Sequence, residues 1–211
     1  MLLITLIKGI AVGIVIALPV GPVGVLCVRR CLFEGVLLGF VSGLGAAVAD
    51  ATFGAIAALG LTFLRDWLLD YQDWFGLAGG AFLLTFGFKE LFLYRAREPE
   101  PLAGEAVFGA FASTYALTIA NPITLLSFAA IFAKVGAEAV TGLGGASVLV
   151  GGVFLGSLLW WLGLAFGIAA LRNLAGEIVM LWLNRISGGI LLLSGIGLLV
   201  VATRGLVGAA G

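Results

Sequence analysis

Two short motifs and one carboxylate are the residues here that could do chemistry. The motifs are "PVGPVG", from Pro19 to Gly24, and "NPIT", from Asn121 to Thr124; the carboxylate is Asp50. All three lie inside long apolar runs. Proline removes an amide donor and clashes with the preceding turn. Glycine lets the backbone unwind. In lipid, a helix broken in this way is tolerated where protein or a water-filled cavity supplies the missing partners. Such a break presents free amides and the positive end of a helix dipole, which suits a carboxylate ligand. Asn121 is a residue type that caps a half-helix, and Thr124 and Ser127 add hydroxyls. The plain alternative is a pair of proline kinks used for packing. Two such motifs, one in each half of the chain, favour a binding site. Its expected residues are Pro19, Gly21, Pro22, Gly24, Asp50, Asn121, Pro122, Thr124 and Ser127.

Asp50 sits near the middle of "LGAAVADATFG", and no other acidic residue lies so deep in an apolar run. Placing an aspartate there costs about 2.5–3.5 kcal/mol on insertion scales. Ionisable residues in a membrane usually face a cavity or a partner and mark a pathway. Asp50 is therefore the expected site of proton coupling, against the alternative of a protonated acid bonded between helices. Lys8 is shallower and can reach outward along its stem. Arg29, Arg30 and Glu34 read as determinants of topology, or as a gate. Trp160 and Trp161 read as packing that limits the size of any cavity beside them.

The elements that hold these residues are membrane helices. The 211 residues are 62% hydrophobic and 10% charged, with zero net charge and a mean hydropathy of +1.23. A soluble domain carries roughly a quarter charged residues. The neutral balance gives no reason to expect nucleic acid as a partner. With no histidine, the usual nucleophile–base set of an enzyme and most metal sites are missing. Cys27 and Cys31, four apart, read as small apolar fillers. Neither a metal nor an organic cofactor is expected.

About 20 apolar residues span the hydrocarbon core. Six segments reach that length: Leu2–Val28, Gly35–Leu64, Trp74–Tyr94, Val107–Ala133, Ser147–Leu171 and Leu181–Thr203. The first is read as a retained transmembrane helix rather than a cleaved leader. The charged link "RAREPEPLAGE" divides a single transmembrane domain, residues 1–211, into halves of about 1–98 and 104–211. The halves resemble repeats. "AGGAFLLT" from Ala78 matches "SGGILLLS" from Ser187, an offset of 109, and "VSGLG" from Val41 meets "VGGVF" from Val150 at the same offset. Three helices per half give opposite orientations, the inverted repeat of many secondary transporters. The fold expected is all-α and integral to the membrane: six helices in two inverted three-helix repeats, the first and fourth broken at proline.

Basic residues near helix ends set orientation. Seven of the eleven (Arg29, Arg30, Lys89, Arg95, Arg97, Arg172 and Arg185) fall on the side of the first, third and fifth links. That side is expected in the cytoplasm, with both termini outside. Glycines four apart, as at Gly9/Gly13, Gly39/Gly43, Gly76/Gly80 and Gly152/Gly156, let helix backbones approach closely. They suit packing within one bundle or, alternatively, a homodimer face.

With these residues in place, the chain resembles the lysine exporter (LysE) family of amino-acid exporters. The matching stretches are "PVGPVGVLCVRRCLFEGVLLGFVSGLGAAVADATFGAIAALG" and "ANPITLLSFAAIFAKVG", followed in order by "VFLGSLLWWLGL" and "NRISGGILLLSGIG". Pro19, Gly21, Pro22, Asp50, Asn121 and Pro122 match the family's motif positions. The resemblance implies a small translocator of the cytoplasmic (inner) membrane of a prokaryote, exporting amino acids against protons. One departure is plain. Many members carry proline-glycine-proline and then asparagine in the first motif; here Val20 separates Pro19 from Gly21, and Val23 follows Pro22. The substrate preference of better-known members therefore does not carry over. The expectation is a secondary transporter, an antiporter, for a small zwitterionic or cationic amino acid. The alternative is an ion transporter, for a divalent metal, on a related bundle.

Overall fold

The computed structural model describes residues 2–18, 21–59, 70–92, 104–121, 124–125, 127–128, 131, 142–172 and 177–210. Among them are seven helices and no strand: α1 (Leu2–Ala17), α2 (Pro22–Phe33), α3 (Val36–Ala58), α4 (Gln72–Phe92), α5 (Gly104–Ile119), α6 (Gly142–Arg172) and α7 (Glu177–Ala210).

The first apolar run is two helices, whose axes differ by 83°. Gly21 precedes α2 in an extended conformation, and Pro22 occupies the first turn. Proline is well placed there, because the first amides of a helix have no intrahelical acceptor. A tight link joins α2 to α3 through Gly35, whose φ of +106° suits a residue without a Cβ. The second motif also interrupts a helix. The α5 helix ends at Ile119, and helical geometry returns at Thr124 and Leu125. The Asn121 carbonyl accepts from the Thr124 and Leu125 amides at 3.1 and 3.4 Å. Its own N–H donates to the Thr118 carbonyl at 3.1 Å. Asn121 thus closes one helical stretch and opens the next through its main chain.

Three stretches are single helices long and apolar enough to cross a membrane: Val36–Ala58, Gly142–Ala170 and Arg185–Val207. The bent pair α1–α2 passes the same test only when its two helices are taken together as one broken span. The third expected span, Trp74–Tyr94, overlaps α4, and the fourth, Val107–Ala133, overlaps α5 only as far as Ile119; neither helix is among the stretches long and apolar enough to cross. The α4 helix carries Asp73 in its first turn and Lys89 in its last, and α5 has 16 residues. Most of the charged link from Arg95 lies outside the described residues.

Glycine sets the spacing of the bundle. A Cβ on Gly9 would lie 2.5 Å from the Leu149 carbonyl oxygen and 2.9 Å from the Gly152 Cα. The α1 and α6 backbones therefore touch, running parallel. Gly45 of α3 meets the Phe111 carbonyl of α5 in the same way, and α4 meets α7 at Gly80 with Gly195 and at Gly87 with Gly188. Lipid offers no hydrophobic drive for helix association, so such close packing carries it. Val12, Phe53, Phe128, Leu149 and Val153 form one buried cluster. Leu3, Phe108, Leu143, Phe166 and Leu193 point outward and are largely exposed.

Candidate functional site

Asp50 lies on the inner face of α3 and is 3% exposed. Its neighbours Ala46, Ala47 and Ala49 are small and buried, so α6 can approach closely. From α6, the Ser157 hydroxyl donates to Asp50 Oδ2 at 2.7 Å. No salt bridge to Asp50 occurs among the described residues. Lys8 is exposed. Among the described residues no three His, Cys, Asp or Glu side chains converge as a metal site would need.

Asp50 opens onto a small cavity whose walls come from five elements. Ile16 and Ala17 end α1, Gly21 to Gly24 begin α2, and Ala46 and Asp50 belong to α3. Thr118 of α5, Asn121 and Thr124 form the far side, with Trp161 of α6. The cavity measures about 60 Å³, whereas one water needs about 10–15 Å³. It has room for a few water-sized groups. The end of α1 and the start of α2 meet here, so opposite ends of two helix dipoles border the same space.

The fold thus brings Gly21, Pro22, Gly24, Asp50, Asn121 and Thr124 to one wall. Ser127 is half-buried and is not among the lining residues. Pro19 and Pro122 lie outside the described residues. Ser157 and Trp161 are additions that the sequence did not mark as site residues. The Ser157–Asp50 contact links positions 107 apart, and only the register of α3 against α6 makes it. Trp161 is 6% exposed, and its indole N–H is buried with no acceptor among the described residues.

A second, larger cavity of about 460 Å³ adjoins the first. Pro22, Val23 and Asn121 belong to both walls. Its other lining residues are Leu83, Leu117, Ser194, Gly197, Leu198 and Val201. None is charged.

The basic pair at the end of α2 does not lie at a solvated surface. Arg29 is 3% and Arg30 6% exposed. Arg30 Nη1 donates to Ser42 Oγ at 2.8 Å, to the Ala110 carbonyl at 3.0 Å and to Thr114 Oγ1 at 3.1 Å. Its Nη2 donates to Ser113 Oγ at 2.9 Å. Glu34 pairs with Arg29 at 2.8 Å and with Arg30 at 3.8 Å. The Arg29 guanidinium lies 4.9 Å from the centre of the Phe86 ring, within cation–π range. This cluster fastens α2 to α3, α4 and α5. Cys27 and Cys31, on the same helix, are buried free thiols.

Comparison with known proteins places these features. The model of a family described as "LysE type translocator" matches residues 14–202. The chain is 27% identical over 193 residues to the "Putative amino acid efflux protein YcgF" of Bacillus subtilis (strain 168), covering 88% of this chain and 90% of that protein. No solved structure matches.

Proposed function

This chain belongs to the LysE type translocator family, and we propose that it is a secondary transporter exporting amino acids across the cytoplasmic membrane of a prokaryotic cell in exchange for protons. One observation carries the reading: both helix breaks and the deep carboxylate of Asp50 line one cavity. An amino acid offers an ammonium and a carboxylate together. The start of α2 suits the carboxylate. Asp50, with the end of α1, suits the ammonium. Asp50 also takes the proton, so that substrate leaving and proton entering use one group in turn. A divalent cation calls for several oxygen ligands, and among the described lining residues Asp50 is the one carboxylate.

The second cavity supports an uncharged side chain. It abuts the first through Pro22, Val23 and Asn121, and no charged side chain is among its described lining residues. A lysine or arginine side chain placed there would have no partner for its cation. The substrate in this reading is neutral rather than cationic.

Packing supports the six-helix inverted repeat. Two-fold exchange of the halves turns the α1–α6 contact into the contact of α5 with α3. It maps α3–α6 and α4–α7 onto themselves. All four helix pairs are present and extensive.

The test is efflux from vesicles containing the purified protein, each preloaded with one amino acid. Efflux of neutral amino acids accelerated by an inwardly directed proton gradient is expected. Efflux of none, with or without the gradient, defeats the reading. Release of lysine and arginine alone would defeat the side-chain assignment and leave export standing.

A further inference from the structure

Arg30 stands between the small cavity and one end of the bundle. Gly21 to Gly24, at the start of α2, line that cavity; Arg30 lies in the last turn of the same helix. On α3, Ala46 and Asp50 line the cavity, and Ser42, which accepts from Arg30, lies one turn before Ala46. On α5, Thr118 lines the cavity, and Thr114, which also accepts from Arg30, lies one turn before Thr118. The guanidinium therefore fills the place where α2, α3 and α5 converge beyond the cavity, on the side of the Gly35 link. Ser42 and Thr114 are fully buried there, so the seam between the three helices is closed on that side.

The bonds that close it are of a kind that releases cleanly. All of them go to neutral oxygens, on Ser42, Ala110, Ser113 and Thr114. Each hydroxyl gives its own proton to the carbonyl four residues back: Ser42 to Leu38 at 2.8 Å, Ser113 to Gly109 at 2.6 Å and Thr114 to Ala110 at 2.9 Å. Withdrawing Arg30 therefore strands no hydroxyl donor on α3 or α5. The carboxylate that pairs with Arg30, Glu34 at 3.8 Å, caps the same helix and travels with it. Glycines bound α2 at both ends, Gly21 before Pro22 and Gly35 after Glu34, and hinges sit at such element-terminal positions. The α4–α7 pair has its most extensive contact with the rest of the bundle through α2, where Leu26 packs with Leu83 and Leu191. The helix thus has a body to move with.

We propose that Arg30 is the latch of a gate: when its bonds release, α2 parts from α3 and α5, and the cavity opens toward the side of the Gly35 link. This rests on reading the chain as a secondary transporter, whose central site must open to each side in turn. The fold carries its own reporters. Cys27 packs in one cluster with Ala46 and Ala47 of α3, and a Cβ on Gly39 of α3 would collide with Cys31 Sγ. Both thiols are 1% exposed, and both face the seam that the gate opens.

The experiment measures labelling of the full chain, purified in detergent, by a water-soluble maleimide, read at each cysteine by peptide mapping. Ala202→Cys supplies a control thiol, since Ala202 is 2% exposed on α7 against Gly76 of α4, away from the seam. In otherwise wild-type protein Cys27 and Cys31 should label faster than Ala202→Cys, although they are no more exposed. Ser42→Ala with Thr114→Val removes hydroxyl acceptors and keeps Arg30. It should speed labelling of both native thiols at least about tenfold, the effect of losing one bond to a charged group. Ala202→Cys, which lies by no such bond, should stay within about twofold. Unchanged labelling of Cys27 and Cys31, or equal acceleration at all sites, overturns the proposal; a network that only holds the fold together gives one or the other. Should the double variant fail to fold, the first comparison decides, and equal labelling of native and control thiols overturns the gate. An amino acid that the vesicle screen shows to be exchanged should alter the rate at Cys27 and Cys31 and not at Ala202→Cys; no effect overturns the gate's part in transport. A screen that finds no exchange removes the exporter reading, and the labelling, which needs no substrate, still decides the gate.

Discussion

The Ser157 hydroxyl donates a 2.7 Å hydrogen bond to Asp50 Oδ2, joining α6 to α3 at the buried edge of the cavity. The bond fixes one oxygen of the carboxyl group. An amide in place of the acid keeps an oxygen to accept it. Asp50→Asn should therefore fold with a melting temperature in detergent close to wild type. Efflux driven by an imposed pH gradient should fall at least about tenfold, because an amide cannot carry the proton. Coupled efflux at the wild-type rate would remove Asp50 from the proton path.

Arg30 is expected to matter for stability more than any other charged side chain described. Its guanidinium reaches Ser42, Ala110, Ser113 and Thr114 on two other helices. Arg30→Ala would leave Glu34 with Arg29 alone and remove the donor shared by the Ser42, Ser113 and Thr114 hydroxyls. Breaking a buried charged network costs about 3–5 kcal/mol. Arg30→Lys should recover only part of this, since an ammonium cannot reproduce the planar fork. Thermal melting of the purified variants measures both. A melting temperature for Arg30→Ala within a degree or so of wild type would contradict the network's importance.

The α1–α6 contact predicts a contrast between two glycines. Gly9→Val places its side chain against the Leu149 carbonyl and the Gly152 Cα, which are backbone and cannot step aside. Overpacking costs about 1–3 kcal/mol even where side chains give way. Low yield and a lowered melting temperature are expected. At Gly163 of the same α6 helix, a Cβ would meet nothing within 4 Å, and Gly163→Val should melt near wild type. Similar behaviour of the two variants would refute the close approach.

Gly197 tests the side-chain cavity. It lines that space, and a Cβ there also meets nothing within 4 Å. Gly197→Leu should leave the melting temperature nearly unchanged. It should slow efflux of large apolar amino acids several-fold while sparing alanine. A uniform effect on all substrates would argue against a side chain in this cavity.

Orientation has its own test. Glu105 is exposed at the start of α5. With both native thiols replaced, a cysteine at Glu105 should resist an impermeant thiol reagent applied to intact cells and react after lysis. Labelling in intact cells would reverse the assignment of sides.

Proline and glycine made the helix breaks legible in the sequence, since each acts on its own backbone. Asp50 was legible for a similar reason: a lone charge in an apolar run is conspicuous wherever the chain later places it. Ser157 was not. A serine among glycines and leucines is ordinary, and its meaning depends on the register between two helices. The place of Trp161 in the cavity wall was hidden by its bulk, because an aromatic ring in a span ordinarily reads as packing. The burial of Arg30 was equally hidden. Its acceptors are hydroxyls and a carbonyl that no charge pattern marks, and three of them lie about 80 positions away. Local chemistry reads directly from sequence, whereas pairing across helices requires the fold.

The contact between α1 and α6 crosses the middle of the chain, as does that between α3 and α5. The first helices of the chain are therefore interleaved with later ones rather than packed with their sequence neighbours alone. The ribosome must deliver α6 before α1 finds the groove formed by Gly152 and Gly156. Until then the backbone stripe of Gly9 and Gly13 lacks the helix it packs against, so the contact is closed late in the chain rather than early.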